Sequence, residues 1–251
     1  MKSLDVLFTP ADFAALKNQN LDDTLSVVFD VFRATSSMVT ALANGAEAII
    51  PVGEIPEALA LKQKSPGVLL AGERDGVRIR AAQTGGTDFD LGNSPREFTK
   101  EKVAGKTIVM TTTNGTRALR SCAHAKTILI GSFLNLQATA DFISKSAPQY
   151  LLLICSGTYE QTAYEDALGV GALCELLWNQ LDPLHISDSA KMARELYTVA
   201  SANVGTAAAT SRNGTRLSGI PGLRDDVPFC TQRDIFNFAA SMQTDGKVRK
   251  I

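Results

Sequence analysis

The sequence contains few of the residues that build metal centres from nitrogen and sulfur ligands. It has two histidines, His124 and His185, and four cysteines among 251 residues. The cysteines are far apart and form no C-x-x-C pair, so neither a zinc cage nor a small disulfide scaffold is expected. So little histidine excludes a His-rich metal centre and argues against a Ser-His or Cys-His nucleophile.

Long apolar runs and an excess of charge are also missing. Residues 1–5 lack the apolar core of a signal peptide, and no run approaches the roughly 20 residues that span a bilayer. We therefore expect a cytoplasmic protein without a membrane partner. The net charge of −1 argues against a nucleic-acid-binding surface. An anionic ligand would have to be bound by local clusters of donors.

The remaining composition, with 45% hydrophobic and 20% charged residues, is typical of a soluble globular domain. Short apolar runs alternate with helical patterns through the first two thirds of the chain, which predicts a mostly parallel sheet covered on both faces. The predicted strands are residues 4–8, 25–29, 48–52, 68–71, 107–110, 127–130 and 150–156. The predicted helices between them are residues 36–43, 56–64, 116–121 and 136–144.

Beyond Ser156 the strand pattern fades and helical patterns follow, from Ala167 to Leu177 and from Ala190 to Ala200. No linker rich in Pro or Ser divides the chain. We expect one α/β domain over residues 1–251, with three layers (α/β/α), a mostly parallel or mixed sheet and a more helical C-terminal part. Residues 72–106 lack a sustained period and favour a loop that covers a ligand.

The most informative segment follows the second predicted strand and reads Asp30-Val31-Phe32-Arg33-Ala34-Thr35-Ser36-Ser37. A carboxylate, a guanidinium and three hydroxyls thus lie at a strand-to-helix turn. The N–H groups of the helix start favour an anion there, and Asp30 could hold a cation. Helix capping by Thr35 or Ser36, with Asp30 and Arg33 in solvent, explains the same residues.

Three other predicted strands end in similar residues. They lead into Gly72-Glu73-Arg74, into Thr111-Thr112-Thr113-Asn114-Gly115-Thr116-Arg117, and into Ser156-Gly157-Thr158. Ligands of parallel sheets bind at the carboxyl ends of the strands, so we expect these strand ends to form one anion site. Glycine at position 115 would let backbone N–H groups approach an oxyanion closely.

Carboxylates without histidine indicate a hard cation. Asp30 and Glu73 follow strands and Asp166 opens a helix just after one, so we expect these three carboxylates to meet. Oxygen ligands favour Mg²⁺, which keeps several waters and binds one or two carboxylates plus a substrate phosphate. The helix dipole explains the acidic pair Glu165-Asp166 about as well. The D-x-D motif of aspartyl-phosphate phosphatases is incomplete, because Phe32 occupies its second acidic position.

These segments, in this order, resemble the 2-phosphosulfolactate phosphatase family. The resemblance extends from Ser26 to about Leu177 and is weaker in the C-terminal third, where it depends on residues 211–214 and Asp225. The loop at residues 80–88 is longer than the short join expected in the family. The segments that carry the resemblance are Val28-Phe29-Asp30-Val31-Phe32-Arg33-Ala34-Thr35-Ser36, Ala71-Gly72-Glu73-Arg74, Phe89-Asp90-Leu91-Gly92-Asn93-Ser94-Pro95, Thr112-Thr113-Asn114-Gly115-Thr116, Ser156-Gly157-Thr158 and Glu165-Asp166-Ala167-Leu168.

The resemblance implies Mg²⁺-dependent hydrolysis of 2-phospho-3-sulfolactate to 3-sulfolactate and phosphate, in a pathway that leads to coenzyme M in methanogens. Asp30, Glu73 and Asp166 are the candidate catalytic residues and Mg²⁺ ligands. The alternatives are a non-catalytic protein that binds a small phosphorylated anion and a phosphatase for another phosphorylated hydroxy acid. A homo-oligomer is compatible with the sequence. The candidate substrate-binding residues are Arg33, Thr35, Ser36, Arg74, Thr112, Thr113, Asn114, Gly115, Thr116 and Arg117.

Overall fold

The computed structural model describes residues 3–251, except for the side chain of Lys17. Within these residues the strands are β1 (Ser3–Leu7), β2 (Thr24–Phe29), β3 (Ala48–Pro51), β4 (Leu69–Arg74), β5 (Val77–Arg78), β6 (Thr107–Thr111), β7 (Thr127–Gly131), β8 (Tyr150–Cys155), β9 (Ala240–Met242) and β10 (Val248–Lys250). The α-helices are α1 (Pro10–Ala14), α2 (Ala34–Ala43), α3 (Ile55–Lys64), α4 (Ala81–Thr84), α5 (Lys100–Val103), α6 (Gly115–Ser121), α7 (Leu136–Ser146), α8 (Tyr164–Leu177), α9 (Asp188–Ala200), α10 (Val204–Ala209), α11 (Arg212–Gly219) and α12 (Asp226–Cys230). In this part of the chain no helix combines the length and apolarity that crossing a membrane requires.

The strands form one sheet in the order β1-β8-β2-β7-β9-β10-β3-β6-β4-β5. The strands β1, β8, β2 and β7 are parallel to one another, and so are β3, β6 and β4. The β9–β10 hairpin lies between these two blocks and pairs antiparallel with both, so the blocks run in opposite directions. The predicted α/β class with a mixed, mostly parallel sheet is confirmed.

The central strands are apolar on both faces because helices pack on both. In β2, Val27 and Phe29 join the hydrophobic cluster that contains α8 and α9 residues. Val28, between them, points the other way and joins the cluster that contains Met38 and Leu42 of α2. Successive residues of β2 therefore pack into two different hydrophobic cores, one on each face of the sheet. Packing on both faces fixes the carboxyl end of β2.

The seven predicted strands and the predicted helices all occur, with boundaries that differ by a few residues. The expectation that strands end at Ser156 was wrong, because β9 and β10 form the middle of the sheet. Each has only three residues, too few for a periodic pattern, and each depends on partners distant in sequence. Residues 72–106 are not one loop but contain β5, α4 and α5.

Candidate active site

A cavity of about 50 Å³ lies where β2, β4 and β6 end. Asp30 and Arg33 line it from the end of β2, Glu73 from β4, and Thr113 and Asn114 from the turn after β6. The two blocks of the sheet run in opposite directions, but successive strands rotate by roughly 20–25°, so their ends need not lie on opposite sides. Strand ends from both blocks therefore share one cavity.

Asp30 is a buried carboxylate, with 7% of its surface exposed. Its Oδ1 accepts a hydrogen bond from the Ala34 N–H at 3.1 Å, and within residues 3–251 no lysine or arginine forms an ion pair with it. Burial, above all, raises the pKa of Asp30 to about 6; the charges of Glu73 and Glu165 act in the same direction, and the Ala34 hydrogen bond opposes them. Asp30 is thus poised to take up a proton or a cation.

The first turn of α6 comes unusually close to Asp30. A methyl group added at Gly115 would lie 2.6 Å from Asp30 Oδ2 and 2.6 Å from Ala34 Cβ. A side chain at position 115 would therefore collide with the carboxylate, and only glycine fits here without a shift. Among the described residues no protein acceptor is paired with the N–H groups of Asn114 and Gly115, which remain available near the cavity.

Glu73 connects two segments of the cavity wall. Its Oε1 accepts hydrogen bonds from the Thr113 N–H at 2.9 Å and the Thr113 hydroxyl at 3.0 Å. Its Oε2 accepts one from the Gly76 N–H at 2.6 Å. The carboxylate fixes the β4–β5 turn against the turn that follows β6, and it still faces the cavity.

Asp166 lies in the first turn of α8, next to the end of β2, and is fully engaged in hydrogen bonds. Its Oδ1 accepts from the Val31 N–H at 2.8 Å, and its Oδ2 accepts from the Ser156 hydroxyl at 3.0 Å and the Gly157 N–H at 3.2 Å. Burial and the charges of Glu165 and Asp30 raise the pKa of Asp166 well above its ordinary value. Asp166 orients the strand ends but is not among the residues that line the cavity.

Glu165 is the fourth buried carboxylate of this region. Its Oε1 accepts a hydrogen bond from the Asn213 amide at 2.6 Å, and burial raises its pKa. Asp30, Glu165 and Asp166 therefore form a group whose negative charges disfavour one another. Even so, no set of three or more His, Cys, Asp and Glu side chains within residues 3–251 is arranged to hold a metal ion. The Mg²⁺ site stays a prediction.

Arg33 is buried, with 3% of its side chain exposed, and forms an ion pair of 2.8 Å with the fully buried Asp226 of α12. It also donates a hydrogen bond of 2.6 Å to the Gly76 carbonyl. Asp226 accepts further hydrogen bonds from Ser94 and Arg96. The guanidinium thus has a fixed position in the cavity wall, held by a residue 193 positions away in the sequence.

The hydroxyls after β2 bond back to the turn and do not cap α2, whose N-cap residue Arg33 makes no side-chain capping bond. Thr35 Oγ1 accepts from the Asp30 N–H and donates to the Asp30 carbonyl, and Ser36 Oγ donates to the Val31 carbonyl. Both side chains are fully buried and lie outside the cavity lining. They stabilise the turn that presents Asp30 and Arg33.

The remaining predicted substrate-binding residues divide into two groups. Thr112 and Thr116 pair with each other through their hydroxyls and N–H groups, which shapes the turn around Thr113. Arg74 donates to the Glu73 carbonyl and to Thr111, and Arg117 pairs with Glu160 at 2.6 Å on the surface. Neither arginine is among the residues that line the cavity.

Nine further residues line the cavity and were not predicted as site residues: Phe32, Asp75, Gly76, Asn93, Thr158, Tyr159, Asn213, Arg216 and Leu217. Asp75 and Tyr159 lie in short turns after β4 and β8, and Asn213 and Arg216 lie on α11. Asp75 and Tyr159 each follow a predicted strand end by a few residues, and this position is the signal that could have identified them. No local pattern shows that α11 returns to the site.

Comparison with known proteins identifies the family. A family model described as 2-phosphosulpholactate phosphatase matches residues 12–245. The chain is 37% identical over 232 residues to a probable 2-phosphosulfolactate phosphatase of Caldicellulosiruptor saccharolyticus, covering 91% of this chain and 93% of that protein. It is 39% identical over 235 residues to a protein described in the same way from Carboxydothermus hydrogenoformans, covering 93% and 90%. For one from Clostridium acetobutylicum the identity is 31% over 246 residues, covering 98% and 99%.

The α/β fold, the polar cavity at its strand ends and these matches define a phosphoric monoester hydrolase. The chain belongs to the 2-phosphosulpholactate phosphatase family, whose model covers nearly all of it. The family predicted from the sequence motifs is confirmed.

Proposed function

We propose that this protein hydrolyses 2-phospho-3-sulfolactate to 3-sulfolactate and inorganic phosphate in the presence of Mg²⁺. The observation that carries the proposal is the convergence of Asp30, Arg33 and Thr113 on one cavity in a chain that the family model matches over residues 12–245. A substrate with phosphate, carboxylate and sulfonate groups requires cationic and N–H donors. The cavity offers two guanidinium groups, Arg33 and Arg216, for this purpose.

The donor set of the cavity fits Mg²⁺ through two carboxylates. Asp30 is buried without a basic partner among the described residues, and Glu73 lines the same cavity. These two would hold the ion, with waters and phosphate oxygens completing its ligands. Asp166 does not line the cavity, and its oxygens accept hydrogen bonds from Val31, Ser156 and Gly157. We therefore assign it the role of positioning Asp30. Bound Mg²⁺ would neutralise charge on the phosphoryl group and position water.

The protein's own donors would bind the phosphate. Arg33 is held by Asp226 and the Gly76 carbonyl, so its position costs little entropy when the substrate binds. The N–H groups of Asn114 and Gly115, which are paired with no protein acceptor among the described residues, would add neutral donors. Such fixed donors stabilise the negative charge that develops on the phosphoryl oxygens in the transition state.

The test is release of inorganic phosphate by the purified protein. The substrates are 2-phosphosulfolactate, 2-phospholactate and 2-phosphoglycolate, each with EDTA and with added Mg²⁺. We expect the highest kcat/KM for 2-phosphosulfolactate and activity that Mg²⁺ restores after EDTA. A higher kcat/KM for another ester would identify a phosphatase of a different hydroxy acid. Binding of the esters without any phosphate release would instead show a non-catalytic binding protein.

A further inference from the structure

Three side chains from separate segments meet at the mouth of the cavity. Tyr159 Oη donates a hydrogen bond of 3.2 Å to Asp75 Oδ1. Arg216 of α11 donates to the Asp75 carbonyl, lies 3.5 Å from Tyr159 Oη and lies 3.7 Å from Asp75 Oδ1. We call Asp75, Tyr159 and Arg216 the rim bridge.

The three residues of the rim bridge line a cavity with little free space. Its volume of about 50 Å³ has room for a few water molecules. A substrate bound next to Asp30 and Arg33 would therefore come into contact with the rim residues, and Arg216 could exchange its contacts with Asp75 for contacts with the substrate.

Separating Arg216 from Asp75 costs little free energy because both charged groups are exposed. The side chains of Arg216 and Asp75 are 37% and 77% exposed, and ion pairs between exposed groups are weak. The other cavity arginine differs, because Arg33 is neutralised by the buried carboxylate of Asp226. Arg216 is therefore the cavity guanidinium that can exchange its protein partner for a group on the substrate.

We propose that Arg216 binds the sulfonate of the substrate, and that Asp75 holds this guanidinium until the substrate replaces it. The assignment rests on the function proposed above. With the phosphate next to Asp30 and Arg33, the sulfonate is the acidic group that reaches furthest toward the rim, since a methylene group separates it from the ester carbon. The carboxylate is attached to that carbon directly and stays nearer the phosphate.

Three esters that differ only in their acidic groups test the assignment. Isopropyl phosphate carries the phosphate alone, 2-phospholactate adds the carboxylate, and 2-phosphosulfolactate adds the sulfonate. For Arg216→Gln we expect kcat/KM for 2-phosphosulfolactate to fall about tenfold to a hundredfold, the value of a hydrogen-bonded ionic contact. The loss for the two esters without sulfonate should stay within about threefold. Arg216→Lys should restore part of the activity toward 2-phosphosulfolactate.

Arg224→Gln is the matched control, because it makes the same charge change at an exposed residue that does not line the cavity.

Asp75→Asn tests the exchange with an effect of opposite sign. Asp75 has a φ of 55°, which asparagine tolerates well, so the turn should persist. With the competing charge removed, KM for 2-phosphosulfolactate should fall about two- to fivefold, and KM for isopropyl phosphate should not.

The outcomes separate this assignment from the proposed function. If the wild-type protein releases phosphate from 2-phosphosulfolactate, but Arg216→Gln loses equally on all three esters or no more than Arg224→Gln, the assignment is overturned and the proposed function stands. Equal losses on 2-phospholactate and 2-phosphosulfolactate would assign Arg216 to the carboxylate and also overturn it. No release from any ester by the wild-type protein overturns both.

Discussion

Asp30 combines burial, neighbouring negative charges and the absence of a basic partner within residues 3–251. A carboxylate that served only the fold would be more stable in water or next to a lysine or arginine. The surrounding hydrogen bonds relieve the charge only in part: the Ala34 N–H and the Ser156 hydroxyl lower the pKa of Asp30, but burial raises it by more. The cost of keeping it buried is consistent with a role in binding or catalysis.

The substitution Asp30→Asn separates a catalytic role from a structural one. If Asp30 acts on the phosphoryl group, directly or through Mg²⁺, turnover should fall about a hundredfold or more while the protein still folds. If it only orders the turn, the free energy of unfolding should fall by about 1 kcal/mol and turnover should change little. Phosphate release and the melting temperature are measured on the same sample. Asp22→Asn, at an exposed position just before β2, is the control.

Gly115→Ala should disturb Asp30 without changing any polar group. The added methyl would lie 2.6 Å from Asp30 Oδ2, so either the carboxylate or the start of α6 must shift. We expect kcat to fall by about tenfold or more and stability to fall by about 1–3 kcal/mol. Gly219→Ala is the control, since no atom lies within 4 Å of its added methyl. Equal kcat values for the two variants would show that the contact between α6 and Asp30 has no role in turnover.

Helix α12 supports the site through the buried pair of Asp226 and Arg33. Asp226→Asn would leave Arg33 charged and buried without a counterion, so we expect a loss of about 3–5 kcal/mol in the free energy of unfolding. The neighbouring Asp225 is 71% exposed and lies 3.5 Å from Arg96, so Asp225→Asn should change stability by less than about 0.5 kcal/mol. Urea unfolding of both variants measures the difference. A similar, small effect for both would mean that Arg33 finds other partners.

The elements that sequence patterns predict here are those whose signal is local. Strands β2, β6 and β8 are continuous apolar runs because both of their faces are covered, and the residues that follow them are visible as strand ends. The β9–β10 hairpin has no such signal, since three-residue strands gain their place in the sheet from partners about 115 and 200 positions away. Because the apolar strands before them have a local signal, the strand ends near Asp30, Glu73 and Thr113 could be predicted to hold the site. The pairing of Asp226 with Arg33 and the approach of Arg216 to Asp75 could not be predicted, because Asp226 and Arg216 return from the C-terminal third of the chain.

The whole molecule carries several carboxylates whose charged form is disfavoured by the fold. Burial raises the pKa of Asp30 to about 6, and burial also raises the pKa values of Glu165 and Asp166. A carboxyl group whose pKa is raised on folding stabilises the protein fully below its unfolded pKa, and this contribution is lost as the pH rises through the folded pKa. For Asp30 the window runs from about pH 4 to pH 6 and is worth about 2–3 kcal/mol.

The metal-free protein should therefore be more stable at pH 5 than at pH 7, which is the reverse of proteins whose carboxylates are paired with basic groups. Urea unfolding in EDTA at pH 5, 6, 7 and 8 measures this slope. In Asp30→Asn the slope should flatten, because one of the titrating groups is gone, and in Asp22→Asn it should match the wild type. Added Mg²⁺ should raise the melting temperature more at pH 7.5 than at pH 5.5, since protons compete with the ion for the carboxylates. The prediction is wrong if the metal-free protein is most stable at pH 7 and Asp30→Asn shows the same dependence of stability on pH. That result would show that folding does not raise the pKa of Asp30.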